Sequence, residues 1–291
     1  MTASREIQCP NCRAGAAQRP VTVRWGVRIV RCGGCGLVFA NPQPSEEALE
    51  DYYGPEYFQQ NADKFLRFPL PPEVALRFGR YVAALREVCP AGRVLDVGCG
   101  TGRFLWVARE AGYEVQGVEL AAYAAELGRE KLGLPIATGR LEALAAGRPF
   151  DAITMWDFLE HTSDPLAILQ AARERLVEGG HLCLTVPHVG SWWARLSGKR
   201  WVGFDKASEH LFYFTRTSLR RLLERAGFTP LRVEPHAWVC TAGFLAERGG
   251  KAWPLGGRLL GGTLGALGLR EAVVRFPSVN LLGIARRGPG A

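Results

Sequence analysis

The sequence predicts an α/β protein, a doubly wound parallel sheet preceded by a small zinc ribbon. Three observations predict it. From residue 93 onward short β-rich runs alternate with helical runs, the pattern of a parallel sheet with helices on both faces. The first of these runs ends in a glycine-rich turn, Gly98-Cys99-Gly100-Thr101-Gly102, at the place where such sheets receive ligands. Near the start of the chain, Cys9-Pro10-Asn11-Cys12 is matched by Cys32-Gly33-Gly34-Cys35.

Each cysteine pair sets two thiolates one tight turn apart, and the intervening residues suit a hairpin that carries both turns to one tetrahedral ion. Four sulfur ligands favour Zn2+. Residues 21–25 and 27–30 alternate as two strands turning at Gly26, and Gly36 suits a left-handed position after the second pair. A redox dithiol is the alternative for either pair. So small a ribbon draws its folding energy from the metal. The proline-punctuated run Asn41-Pro42-Gln43-Pro44 closes a ribbon domain over 1–44, and Ser45 caps a helix that opens a linker with N-terminal helices over 45–90. Tyr52, Tyr53, Tyr57 and Phe58 there read as packing against the next domain.

The following domain spans 91–291. Strands are predicted over 93–97, 114–119, 150–156 and 181–186, and helices over 104–111, 123–132 and 165–177. Thr215 or Thr217 caps a further helix over 219–226 that stops at Gly227. Residues 188–214, with Trp192, Trp193 and Trp201 among Arg195, Lys199 and Arg200, and the glycine-rich 237–278 read as insertions that cap a substrate.

With 291 residues, 47% apolar and 22% charged, the chain can bury a core and is not disordered. The longest apolar run, 259–269, is far short of the roughly 20 residues of a membrane helix. The N-terminus offers charge and cysteines instead of an apolar leader, so a cytoplasmic location is expected. Residues 1–189 hold 20 Lys and Arg against 22 Asp and Glu, and residues 190–291 hold 16 against 6. The basic excess therefore falls on the segments expected to close over an acceptor. That charge suits an anionic or surface-bound partner, including a membrane surface touched peripherally by the C-terminal third.

The glycine turn departs from a dinucleotide fingerprint, because its third glycine would fall at Arg103 and Asp96 would sit beside a pyrophosphate. A ligand carrying positive charge fits better. S-adenosylmethionine has an ammonium and a sulfonium, and its ribose could meet an acid at the end of the second strand, where Glu119 stands.

Residues 96–102, Glu119 and the run from Asp151 to Glu160-His161 together resemble the class I S-adenosylmethionine-dependent methyltransferases, over residues 72–240. The run 279–286 resembles that family's last strand, inserted antiparallel into a Rossmann-like seven-stranded sheet. The ribbon followed by Asn41-Pro42-Gln43-Pro44-Ser45 resembles a bacterial subgroup associated with cell-surface polysaccharide and secondary pathways. The resemblance implies that Gly98, Gly100 and Gly102 meet the methionine portion, with Asp96 facing its ammonium. It implies that Glu119 binds the ribose hydroxyls, that Leu120 and Leu141 flank the adenine, and that Trp156 lies near the sulfonium.

Methyl transfer to a hydroxyl also needs a proton removed. His161, in the family's Glu-His position, is one candidate base. Glu209 and His210 are others, since a Glu-His pair in a similar setting does the proton work in ribbon-containing sugar C-methyltransferases. His188, at a carboxyl strand end, could touch substrate. The function expected is methyl transfer to oxygen or carbon of a small-molecule or carbohydrate-like acceptor, lipid-linked forms included. Two rivals stand beside it: an RNA methyltransferase whose ribbon assists nucleic-acid binding, and a cofactor-binding scaffold without activity.

Overall fold

The computed structural model describes residues 4–12, 17–60, 68–246 and 254–289. In chain order the N-terminal elements are β1 (Ser4–Arg5), β2 (Gln18–Arg24), β3 (Val27–Cys32), β4 (Val38–Ala40), β5 (Gln43–Pro44), α1 (Glu46–Tyr52), α2 (Pro55–Gln60) and α3 (Pro72–Arg86). The alternating half follows with β6 (Arg93–Val97), α4 (Arg103–Glu110), β7 (Glu114–Glu119), α5 (Ala122–Leu132), β8 (Ile136–Thr138), β9 (Phe150–Trp156), α6 (Pro165–Arg175) and β10 (Leu176–Pro187). The last third holds α7 (Trp192–Ser197), β11 (Phe212–Tyr213), α8 (Arg216–Arg225), β12 (Phe228–Thr241), α9 (Pro254–Ala266) and β13 (Val273–Arg287).

The main sheet has seven strands in the order β12-β13-β10-β9-β6-β7-β8. β13 runs antiparallel to both neighbours, while the β10–β9, β9–β6, β6–β7 and β7–β8 pairs are parallel. The chain leaves β6 toward β7 and β8 and later returns to β9 on its other side. The switch point, where a crevice opens beyond the carboxyl ends of the strands, therefore lies between β6 and β9. Val94, Leu95, Ile153, Met155, Leu182 and Leu184 are fully buried, as the central strands of a sheet covered on both faces require.

Local signals in the sequence set several boundaries. Asp164 caps α6 by accepting from the Leu166 and Ala167 amides ahead of Pro165 at the first helical position. Thr215 caps α8 in a reciprocal arrangement with Ser218, and Gly227 adopts φ +83° after it. β8 is only three residues long and carries no periodicity that a sequence reading could detect.

The ribbon is continuous with the rest of the molecule. Its sheet has the order β11-β4-β3-β2, so a strand from the far end of the chain completes it. Phe212 pairs with Phe39 and Tyr213 with Val38, and the Ala40 amide donates to the Leu211 carbonyl at 2.9 Å. Cys9, Val30, Cys32, Leu37 and Phe39 share one hydrophobic cluster with Leu95, Ile153 and Leu219 of the main domain. α3 likewise packs Phe78, Tyr81 and Leu85 against the cluster beneath β6 and α4.

The insertion expected over 237–278 is resolved differently. Residues 237–241 continue β12 and 273–278 begin β13, so the two ends of the segment prolong the sheet edge as a hairpin, with α9 between them. None of the described side chains of α9 is buried. The helix includes Gly256, Gly257, Gly261, Gly262 and Gly265, each about 1 kcal/mol less favourable than Ala in a helix.

Phe212→Ala removes a fully buried ring from the seam between ribbon and main sheet. Urea denaturation is expected to show a single transition destabilised by about 3–5 kcal/mol. Two separate transitions would contradict the shared core.

Candidate functional site

The glycine turn connects β6 to α4. Gly98, Gly100 and Gly102 have φ of +70°, +55° and +77°. At Gly98 an added Cβ would fall 2.1 Å from Cδ2 of Phe158, so the left-handed backbone and the aromatic ring both demand glycine. A Cβ added at Gly100 would meet nothing within 4 Å, so a ligand can approach its backbone from that side. The Gly100 amide donates to Glu119 Oε2 at 2.7 Å, and the Ala121 amide donates to Oε1 at 2.9 Å. Glu119 therefore braces the turn from the end of β7. Burial raises its pKa, and the amides of Ala121, Gly100 and Leu120 oppose that shift.

The remaining residues expected around the cofactor separate into placed and misplaced. Leu120 keeps an exposed apolar side chain beside Glu119. Leu141 does not: the turn over Leu141–Ala143 directs it into the main core at 2% exposure, leaving no face for an adenine ring. Trp156 is also committed elsewhere. Its ring stacks on Tyr81 at 4.1 Å and 9° and meets Phe104 edge-on, on the side of α3 and α4. Asp96 is 3% exposed, beneath the turn rather than open to a ligand's ammonium, and accepts from Thr154 Oγ1 at 2.6 Å. Burial pushes its pKa up to about 8, with the Thr154 hydroxyl pulling the other way.

A polar node lies beside the switch point. Asp157, just after β9, holds φ +51°, which costs a non-glycine residue about 1–3 kcal/mol. Its Oδ1 accepts from Thr185 Oγ1 and Asn280 Nδ2, both at 2.9 Å, and its amide donates to Thr185 Oγ1 at 3.0 Å. These bonds tie the carboxyl ends of β9 and β10 to β13. The sequence reading had only the residue's presence in the run after the fourth strand, and assigned it no role.

Beyond Phe158 a second constellation forms from three distant segments. Glu160 and His161 sit in a short 3-10 turn after β9, Glu209 and His210 precede β11, and Tyr53 ends α1. His161 Nδ1 lies 2.8 Å from Tyr53 Oη and 3.0 Å from the Glu209 carbonyl oxygen. The Glu209 carbonyl can only accept, whereas the Tyr53 hydroxyl can donate or accept, so both contacts orient the imidazole by its Nδ1 edge. The His210 ring meets His161 edge-on at 4.8 Å, and the Leu211 amide donates to the Glu160 carbonyl at 2.7 Å. Glu160 is 1% exposed, with burial and nearby Asp157 driving its pKa well above the carboxylate range. The ligand atoms of Glu160, His161 and His210 lie within 4.8 Å of one another. Sequence reasoning singled out His161, Glu209 and His210 but assigned nothing to Glu160 and only packing to Tyr53.

His188 is not among them. It is buried, forms an isolated bridge with Phe214, and its pKa is lowered to about 4 by burial and by Arg216 and Arg195. Trp201, expected as a stacking residue of the loop, is fully buried against Phe204 and Tyr213, whereas Trp192 is exposed.

The four ribbon cysteines place their sulfurs within 4.8 Å of one another, with Cys9–Cys35 at 3.4 Å and Cys12–Cys32 at 3.5 Å, and all are free thiols. Four sulfurs at 2.3 Å from a tetrahedral zinc would stand about 3.8 Å apart, so the donor set fits the ion. The Gly36 amide donates to the Cys32 carbonyl at 3.0 Å, and Gly36 has φ +75°.

A glycine turn braced by an acid on the adjacent strand, at the switch point of a sheet whose seventh strand is antiparallel, defines the S-adenosylmethionine-dependent methyltransferase fold. The chain belongs to the family described as "Methyltransferase domain", whose model matches residues 55–233. Among curated proteins it is 38% identical over 112 residues to a ubiquinone biosynthesis O-methyltransferase of Xanthomonas campestris, covering 36% of this chain and 46% of that protein. It is 35% identical over 150 residues to a protein of the same description from Cereibacter sphaeroides, covering 48% and 61%. The matches thus span about half the length of these relatives. Of solved structures, magnesium protoporphyrin IX methyltransferase of Synechocystis with bound S-adenosylhomocysteine superposes with a TM-score of 0.56. It covers 84% of this chain and 100% of that one at 15% identity. An S-adenosylmethionine-dependent methyltransferase of Methanosarcina mazei gives 0.50, covering 71% and 98% at 16% identity. These two likenesses speak to the fold.

Asp96 has a testable consequence for stability. Its folded pKa of about 8 lies above the ordinary carboxylate value, so between pH 4 and 8 the folded state holds a proton that the unfolded chain releases. The stabilisation is complete below about pH 4 and is lost as pH rises through about 8. Asp96→Asn keeps an acceptor for Thr154 without a titratable group, so its melting temperature relative to the unsubstituted protein is expected to increase from pH 5 to pH 8.5. A pH-independent difference would remove the buried-acid assignment.

Proposed function

We propose that this protein transfers the methyl group of S-adenosylmethionine to a hydroxyl oxygen of a small molecule, carbohydrate-like acceptors included. The observation that carries the reading is the placement of a base beside the glycine turn: Phe158 contacts Gly98, and the constellation around His161 follows two residues later. The description of the curated relatives as O-methyltransferases supports oxygen as the acceptor atom.

The bound cofactor supplies an electrophilic methyl on a sulfonium. Glu119 receives the ribose hydroxyls, the backbone of Gly98 to Gly102 lines the methionine side, and Leu120 offers an apolar flank to the adenine. His161 would take the acceptor's hydroxyl proton, with the Glu209 carbonyl and Tyr53 holding the ring, and the cofactor would supply the methyl and leave as S-adenosylhomocysteine. His210, 8% exposed, shapes the wall behind His161. His161 is preferred to His210 as the base because it is the more accessible of the two histidines. In this reading the Cys9, Cys12, Cys32 and Cys35 thiolates hold a structural zinc. The ion fixes β4, and through β4 the strand that follows His210.

Glu119→Ala is expected to weaken S-adenosylmethionine binding by at least about 100-fold in calorimetry, from the loss of two charge-assisted hydrogen bonds. His161→Ala should lower kcat by about 10²–10⁴-fold and leave cofactor affinity within a few-fold. Full turnover by that variant would eliminate His161 as the base. Elemental analysis should find about one zinc per chain. Cys32→Ser should lose it together with thermal stability; a metal-free protein of unchanged melting temperature would refute the structural role.

A further inference from the structure

α9 and its hairpin form a surface that the methyl-transfer chemistry does not use. β10 ends at Pro187 opposite Asn280 of β13, so residues 273–276 pair only with β12, at Thr241, Cys240, Val239 and Trp238. The hairpin thus projects past the carboxyl ends of the sheet, the edge that carries the glycine turn and the His161 constellation. It is held there by α3, where Arg80 Nη1 donates to the Ala237 carbonyl at 3.1 Å and Tyr81 packs on His236.

The chemistry of the projecting end is unusual for a surface in water. Leu259, Leu260 and Leu267 are 72%, 52% and 63% exposed, and α9 itself contains no carboxylate. Residues 248–270 hold Arg248, Lys251, Arg258 and Arg270 and no Asp or Glu. A helix apolar on most of its circumference requires an apolar surrounding, and 13 residues are too few to span a bilayer. A glycine-rich backbone also gains more from helix formation where water does not compete for its peptide groups. Exposed leucines in a segment where Arg248, Lys251, Arg258 and Arg270 outnumber the bordering Glu247 and Glu271 match the boundary between acyl chains and anionic headgroups.

We propose that α9 is an interfacial helix that seats the active-site edge on an anionic lipid surface. The acceptor's identity does not enter this inference, and its test is read without turnover.

The full-length protein is sedimented with vesicles of phosphatidylcholine alone and of phosphatidylcholine with about 30% phosphatidylglycerol, at low and at physiological salt. Binding to the anionic vesicles is expected to exceed binding to the neutral ones and to weaken with salt. The double variant L259E/L260E should reduce the bound fraction roughly tenfold, with unchanged S-adenosylmethionine affinity and circular dichroism. Both positions are exposed, so folding is not at stake; L267E on its own provides an independent check. Absence of binding to anionic vesicles at low salt would overturn the proposal, as would variants that bind equally well. A dimer that L259E/L260E dissociates, seen by sedimentation equilibrium without lipid, would overturn it in favour of a second copy.

Discussion

The pairing of β4 with β11 is the constraint on which the rest of the arrangement depends. Two residues of an N-terminal ribbon and two residues more than 170 positions later exchange a short ladder. Around it Phe39, Phe212, Tyr213 and Phe214 are almost completely excluded from water. This seam fixes Leu211, whose amide and carbonyl link the Glu160 carbonyl on one side to the Ala40 amide on the other. Without it Glu209 and His210 would belong to a loop rich in 3-10 turns, free to withdraw from His161. The seam also gives the ribbon a physical reason to exist in this chain. It supplies the edge that a two-residue strand needs, since so short a strand cannot persist alone.

Binding and chemistry are served by different parts of the frame. Glycine turn and acid come from neighbouring parallel strands, so their mutual geometry is set by the β6–β7 register, with Asp96 opposite Gly117. The groups around His161 come from three loops, and each is anchored at its base by a strand, a capped helix or the ribbon. Asp157 stands between the two regions. Its unfavourable backbone angle is sustained because the carboxyl ends of β9 and β10 and Asn280 of β13 share its hydrogen bonds, a rigid partition on which Phe158 and Glu160 can project to opposite tasks.

Much of this was legible before any coordinates. The strands at 93–97, 114–119 and 150–156 were set by short β-branched runs between glycine and helix signals, and their limits coincide with those found. The cysteine spacing located both knuckles and the turn at Gly26. The failures have a common cause, in that side-chain direction at the site depends on contacts made by remote residues. Trp156 ends a strand at the right place, yet Tyr81 of a helix far upstream offers a parallel ring and captures it. Leu141 follows the correct strand, but a single 3-10 turn rotates it inward. The last insertion carried no alternation that would show β12 running on through Thr241 before the chain reaches α9. Glu160 was visible in the motif, but only its enclosure by segments from both ends of the chain makes its carboxyl anomalous.

The ribbon's dependence on β11 also bears on how the molecule is made. Synthesis runs from the N-terminus, so the cysteine knuckles and β2 to β4 leave the ribosome early, while the strand that covers the edge of β4 is translated only when about three-quarters of the chain exists. During that interval Ile29 and Val38 on one face of the ribbon sheet, and Phe39 on the other, lack the neighbours that Tyr213 and Phe212 later supply. The ribbon sheet is therefore completed only by a strand translated long after its own.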